Sequence, residues 1–255
     1  NKIPPLTVRI NNFKISRDKP ISVLKNEGIF AAPTILSPEG IIISNNPKGL
    51  RETDAFRQGF IRVQVEASQL ATHLLDPQPG DQVLDFCAGN GGKTLHLAAL
   101  MQNNGKITAV DVNHNKLKHL LSEAKRLGVT IVQTIQEDGV KRNDALSENF
   151  DKILVDAPCS GLGTLRRNPE IRWRLKLGEI EMLKQKQKEL LQNAAGYVKP
   201  GGSLAYCVCT TTPEENEEVA FEFLEDNKQF KLKSPPNFPV ELVTAEGFLR
   251  TFPHI

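Results

Sequence analysis

From residue 82 to residue 226 short apolar runs alternate with helix-period segments, and this alternation constrains the fold more than any other feature. Residues 82–87, 106–111, 130–135, 151–156 and 203–209 read as strands. Helices are expected over 94–102, 115–127, 179–198 and 214–226, with Gly128 as a C-cap and Pro200-Gly201-Gly202 as the turn into the last strand. Continuous apolar strands separated by crossover helices call for a parallel sheet covered on both faces. The expected fold class is therefore α/β, a doubly wound sheet.

The leading residues differ. Short apolar runs at 6–10 and 41–43 are punctuated by Gly28, Pro33, Gly40 and Pro47-Lys48-Gly49, with one helix near 19–26. They read as a small α+β module. A helix over 64–75 follows, with Val65, Leu70, Ala71, Leu74 and Leu75 mostly on one face. The division expected is a module over 1–62 and a larger domain over 63–255. The first residue is not methionine and the sequence stops at Ile255, so a piece of a longer protein is expected.

Lysine and arginine number 32 against 30 acids, a net charge of +2, so binding nucleic acid through bulk charge is excluded but a local basic surface is not. Four cysteines, Cys87, Cys159, Cys207 and Cys209, are too few for the staples of a small secreted fold. No run approaches the ~18 apolar residues of a membrane span, and no signal peptide is visible. A cytoplasmic protein without a membrane partner is expected.

Ligands of open parallel sheets bind beyond the carboxyl ends of the strands. Asp85-Phe86-Cys87-Ala88-Gly89-Asn90-Gly91-Gly92-Lys93-Thr94 is a glycine turn at that edge. Three ligands compete for it. A phosphate loop fits Gly92-Lys93-Thr94 but needs glycine where Cys87 stands. The dinucleotide pattern begins at Gly89 and Gly91 and then meets Thr94. S-adenosylmethionine also calls for a glycine turn after the first strand and an acid ending the second, where Asp111 lies about 20 residues on. A plain tight turn is the bland alternative.

Two further motifs fall at the same edge: Asp156-Ala157-Pro158-Cys159-Ser160-Gly161 and Tyr206-Cys207-Val208-Cys209-Thr210. The cysteines lack the histidine or C-x-x-C partners of a zinc site, so no metal is expected. Packing as small hydrophobes and attack as a nucleophile both remain open.

Together with Val63-Gln64-Val65-Glu66-Ala67-Ser68, Arg9-Ile10-Asn11 and Pro213-Glu214-Glu215-Asn216-Glu217, these motifs resemble the Sun-type family of RNA cytosine-5 methyltransferases over nearly the whole chain. The resemblance implies a Rossmann-like methyltransferase sheet preceded by an RNA-binding module, with a final strand beyond Ile255. It also implies methyl transfer from S-adenosylmethionine to carbon 5 of cytosine. RNA is the implied partner, ribosomal RNA first and transfer RNA second, and a monomer is expected. A fold-sharing RNA-binding or assembly factor without turnover is the non-enzyme alternative.

By the same resemblance Cys209 is the nucleophile and Cys159 assists release. Asp156 bonds ring nitrogen 3 of cytosine and also borders the cofactor, while Lys93 is the orienting cation. Cys87, Ala88, Gly89, Asn90, Gly91, Gly92 and Lys93 wrap the cofactor's methionine end, Asp111 holds its ribose and Asp138 its adenine. Three positions depart from the family: Gly89-Asn90 replace Ala-Pro, and Val208 replaces threonine before Cys209.

Arg166, Arg167, Arg172, Trp173, Arg174 and Lys176 follow the Cys159 motif closely, with Glu170 the one acid among them. Cations beside an aromatic platform suit single-stranded RNA. Lys2, Arg9, Lys14, Arg17, Lys19 and Lys25 add to the expected basic face. The acidic segment 214–226 is expected to face solvent away from RNA, with Asn216 and its flanking acids supporting the catalytic strand.

Overall fold

The computed structural model describes residues 4–45, 49–143, 146, 149–176, 178–235 and 238–252. Lys2 and the Pro47-Lys48 pair therefore lie outside the described residues. In the leading part β1 (Leu6–Ile10), α1 (Asp18–Asn26), β2 (Ala31–Pro33), β3 (Gly40–Ile43), α2 (Asp54–Arg57) and β4 (Ile61–Val63) follow one another. The strands make an antiparallel sheet of order β2-β3-β1-β4 around Val8, Ile10, Leu24, Ile41 and Ile61.

Then come α3 (Glu66–Leu75), β5 (Gln82–Phe86), α4 (Thr94–Leu100), β6 (Lys106–Asp111), α5 (His114–Leu127), β7 (Val132–Gln136), β8 (Phe150–Asp156), α6 (Ile171–Arg174), α7 (Glu179–Ala195), β9 (Val198–Cys207) and α8 (Glu217–Asp226). The five strands pair in parallel in the order β7-β6-β5-β8-β9. This is the expected doubly wound α/β sheet behind a small α+β module. Residues of β5 alternate between the two faces: Leu84 and Phe86 pack towards α7, and Val83 packs with Leu95 and Ala98 of α4. The order reverses between β5 and β8, which places the ligand crevice beyond those two strand ends.

Several boundaries differ from expectation. Pro200-Gly201-Gly202 lies inside β9 instead of preceding it, because β9 is an edge strand and can carry a proline without losing an inner hydrogen bond. β9 ends at Cys207, so Cys209 stands in the segment beyond the strand. The acidic segment breaks at Asn216 (φ −116°, ψ −100°) between a 3-10 turn, Pro213–Glu215, and α8. Its acids do not simply face solvent: Glu218 and Glu222 pair with Lys184 of α7, and Glu217 with Arg250.

The two sheets meet across a polar seam. Asn11 donates to the carbonyls of Gly59 and Leu127 at 3.0 and 2.8 Å. Arg126 donates to the Ile61 carbonyl at 3.1 Å and stacks 3.9 Å from the Phe56 ring centre. Glu39 bonds His73 of α3 at 2.7 Å, and His96 of α4 lies fully buried beside them. Arg9, 1% exposed, bonds Gln64 and supplies the cation of this cluster, so it is not available to RNA. Lys14 is likewise spent on the carbonyls of Gln58 and Arg126. Among the described residues no helix is long and apolar enough to cross a membrane.

Candidate active site

The glycine turn leaves β5 with a side chain where glycine would be easier. Cys87 adopts φ 61°, a left-handed conformation that costs a non-glycine residue roughly 1–3 kcal/mol unless its surroundings hold it. They do: the Ala88 amide bonds the Val110 carbonyl at 3.0 Å and the Gly91 amide bonds Ala88 at 2.9 Å. Asp111, at the end of β6, accepts from the amides of Gly89 and Asn113, each at 2.8 Å. Its two oxygens thus already pin the turn. Asp138 lies beyond β7 and accepts from the Val140 amide.

The turn walls a cleft of about 400 Å3, to which Cys87, Ala88, Gly89, Asn90, Gly92 and Lys93 contribute. Asp156 stands at its inner end, and Gln64, Val65 and Ser68 face it. Gly91 turns inward instead; a Cβ there would meet Leu120 Cγ at 2.4 Å. Gln64, Ser68 and Lys116 were not singled out from the sequence as cleft residues. Gln64 and Ser68 sat inside a quoted motif without a role, and Lys116 looked like any exposed helical lysine. Arg62 was missed as well. Its guanidinium donates to the Asn90 carbonyl at 2.6 Å and pairs with Glu123 at 2.9 Å, so the antiparallel sheet buttresses the glycine turn.

Lys93 reaches Asp156 at 2.7 Å. Burial pulls its ammonium pKa down, but Asp156 and the neighbouring Cys207 and Asp85 outweigh this and raise it. Thr94 is buried and donates to Asp85 at 2.6 Å. Both polar groups of Gly92-Lys93-Thr94 are therefore paired within the protein, which weighs against a phosphate loop in this turn. Asp85 itself is fully buried, and burial pushes its carboxyl up to about 7 despite the Thr94 hydrogen bond.

Beyond β8 and β9 two sulfurs face each other. Cys159 Sγ and Cys209 Sγ are 3.3 Å apart, and the Cys209 amide donates to Cys159 Sγ at 3.2 Å. The hydrogen bond from Cys159 lowers the Cys209 thiol to about 7, helped by Lys93 and opposed by burial and Asp156. The same bond, with burial, raises Cys159. The pair thus divides into an accessible thiolate and a proton-bearing thiol. Cys207 is different: burial pushes it up to about 12, as it does Cys87, so both are inert packing groups at neutral pH. Val208 packs against the core cluster of Phe86 and Val155.

A second cleft of about 410 Å3 opens on Cys159, with Ile171, Arg174, Met182 and Lys186 among its walls. Arg172, Trp173 and Arg174 lie on α6 beside it, and Trp173 is 80% exposed, so it does not anchor the segment to the core. Arg166 and Arg167 are exposed too, and Arg167 donates to the Pro5 carbonyl at 2.8 Å, tying this segment to the leading sheet.

Residues 72–255 match the family model described as 16S rRNA methyltransferase RsmB/F, and residues 1–48 match the ferredoxin-like domain of RsmF/B-like methyltransferases. The probable ribosomal RNA small subunit methyltransferase B of Bacillus subtilis is 35% identical over 99% of this chain and 57% of its own length. The protein of that name in Synechocystis is 35% identical over 100% of this chain and 58% of its own length. The chain thus spans a little over half the length of these curated relatives. Among solved structures, PH0851 superposes with a TM-score of 0.91 at 40% identity, covering 100% of this chain and 57% of that one. NSun6 from Pyrococcus horikoshii with SFG gives 0.84 at 25% identity, covering 94% of this chain and 84% of that one.

Proposed function

Because the chain belongs to the 16S rRNA methyltransferase RsmB/F family, we propose that it methylates carbon 5 of a cytosine in small-subunit ribosomal RNA through a covalent adduct on Cys209. The observation that carries this reading is the sulfur pair: two cysteines 3.3 Å apart at the sheet's ligand edge, one lowered and one raised.

S-adenosylmethionine fits the first cleft. A Cβ on Gly92 would meet nothing within 4 Å, so the glycine leaves open space where a ligand would lie against the backbone. The glycine turn and Lys93 would hold the methionine end, with Asp111 and Asp138 towards ribose and adenine. A relative described with SFG, an analogue of this cofactor, is consistent with that placement. Bound there, S-adenosylmethionine supplies an activated methyl group on a sulfonium.

The chain's own groups then have these tasks. A base within a duplex cannot reach Cys209, so the target is single-stranded or flipped. Arg166, Arg167, Arg172 and Arg174 would engage the RNA backbone, and Trp173 would stack a base. The Cys209 thiolate adds to carbon 6, and the electron pair displaced towards carbon 5 makes that carbon nucleophilic. A proton passed from Lys93 through Asp156 to ring nitrogen 3 would neutralise the charge that builds there. After transfer, Cys209 is bonded to carbon and no longer carries the charge that raised Cys159. Cys159 then ionises more readily, which suits it to take the carbon 5 proton as the Cys209–carbon bond breaks.

The test is methyl transfer from labelled S-adenosylmethionine to deproteinised small-subunit ribosomal RNA and, in parallel, to transfer RNA. Nucleoside mass spectrometry should find 5-methylcytidine in the ribosomal RNA arm. Cys209→Ala should lower turnover by at least ~10³-fold, the order of loss seen when a covalent nucleophile is removed, while cofactor binding by calorimetry stays unchanged. Product in the transfer RNA arm alone would replace the substrate, and normal turnover by Cys209→Ala would refute the mechanism.

A further inference from the structure

We propose that Glu215 is a positioning residue that fixes the spacing of Cys159 and Cys209. In its activity arm this rests on the function proposed above. Glu215 is fully buried, at 0% exposure, yet its carboxylate lies between the two cysteine-bearing segments. One oxygen accepts from the Ser160 amide at 2.8 Å and from Gln187 of α7 at 2.9 Å. The other accepts from the Ser160 and Thr212 hydroxyls, the latter at 3.0 Å. All four donors are neutral, so the site is built for hydrogen-bond geometry rather than for an ion pair.

Ser160 follows Cys159 and Thr210 follows Cys209, and their hydroxyls meet at 2.7 Å. Gln187 also donates to the Pro158 carbonyl at 3.0 Å, so the loop is gripped on both sides of Cys159. On the other segment Asn216 donates to the carbonyls of Thr210 and Thr212 at 3.3 and 2.7 Å. The Tyr206 hydroxyl of β9 donates to the Glu215 backbone carbonyl at 2.7 Å. Glu215 thus bonds the neighbour of Cys159 directly and reaches the neighbour of Cys209, Thr210, through the Ser160 and Thr212 hydroxyls. Burying such a group is costly unless every lone pair finds a donor, so the network has little freedom to adopt another arrangement.

The decisive experiment compares Glu215→Ala with Glu215→Gln. Ala removes the acceptors. Gln keeps the shape, and the Ser160 and Thr212 hydroxyls can rotate to accept from its amide. The readout is the rate of Cys209 alkylation by iodoacetamide against pH, assigned by peptide mass spectrometry, with thermal unfolding and cofactor calorimetry as controls. Glu215→Ala should move the alkylation midpoint upward and slow the reaction at neutral pH by roughly fivefold, the fall in thiolate at pH 7 when a midpoint of about 7 rises by about one unit. Glu215→Gln should stay within about twofold of wild type, on the same scale. Methyl-transfer kcat should follow the alkylation rate while cofactor affinity holds.

A folded Glu215→Ala with the wild-type pH profile would overturn the proposal, and so would a Glu215→Gln that behaves like Ala. Should Glu215→Ala fail to fold, Ser160→Ala and Thr212→Val each remove one strut and should shift the midpoint upward by a smaller step; unchanged profiles in both would overturn it. Alkylation needs neither RNA nor cofactor. A wild-type protein without methyl transfer would therefore refute the proposed function and leave this test intact.

Discussion

Cys159 and Cys209 are the same chemical group, 3.3 Å apart, and their shared proton lowers Cys209 to about 7 while it raises Cys159. The thiolate of Cys209 grows as pH rises through about 7. Removing the Cys159 donor should move that rise towards the ordinary thiol range near 9, so Cys159→Ala should react with iodoacetamide more slowly at neutral pH and normally at high pH. An unchanged pH profile would remove Cys159 from the account. Cys87 and Cys207 should stay unreactive over the same range, because burial holds both near 12. The sequence motifs pointed to Cys209 and Cys159 individually. Their contact was not legible, since it joins residues 50 positions apart through two strand ends. The role of Glu215 as acceptor of four hydrogen bonds was legible only as an acid flanking Asn216.

At the scale of elements, the strands after residue 82 were readable because burial on both faces leaves nearly unbroken apolar runs. The start of β9 was not, because Pro200-Gly201-Gly202 imitates a turn and is accommodated as an irregularity of an edge strand, between the Phe150–Val198 and Lys152–Ser203 pairs. The glycine turn shows the same limit. Three glycines were visible, but only the packed structure separates Gly91, which faces α5, from Gly89 and Gly92, which border the cleft. Gly91 has φ 76° and a Cβ there would lie 2.4 Å from Leu120 Cγ. Gly91→Ala should therefore destabilise the protein by about 2–4 kcal/mol, combining backbone strain and overpacking. Gly89→Ala, where the nearest atom is 3.9 Å away, should cost only the backbone term, about 1 kcal/mol. Denaturant unfolding of the two variants ranks them; equal losses would contradict this division of the turn.

Across the whole molecule, the seam between the two sheets was the least legible part. Arg9 reads as part of a basic face and instead lies buried in the seam, since burial depends on long-range packing that a charge count does not register. The seam makes an acid-sensitivity prediction. Burial, with Arg9 nearby, lowers His96 to about 3, so it stays neutral in the fold while it titrates near 6.5 when unfolded. Protons then bind the unfolded chain first, and stability is lost as pH falls from about 6.5 towards 3. Glu39 acts in the same direction: burial raises it, but its bond to His73 and the nearby His96 ring outweigh this and lower it, so its contribution also fades in acid. His96→Gln, which cannot titrate, should show a shallower fall of Tm with acid than wild type, and parallel slopes would show that the seam does not govern acid unfolding. Arg62 and Arg167 extend the leading sheet's contacts to the glycine turn and to the segment of Trp173. The function proposed above has Cys209 take a covalent step. Its most direct test is to incubate Cys159→Ala with S-adenosylmethionine and small-subunit ribosomal RNA, then denature and map any attached nucleotide by peptide mass spectrometry. A denaturant-resistant adduct on Cys209, absent from Cys159→Ala/Cys209→Ala, is the expected result; an adduct that survives in the double variant, or methylation by Cys159→Ala at the full rate with no adduct, would contradict the claim.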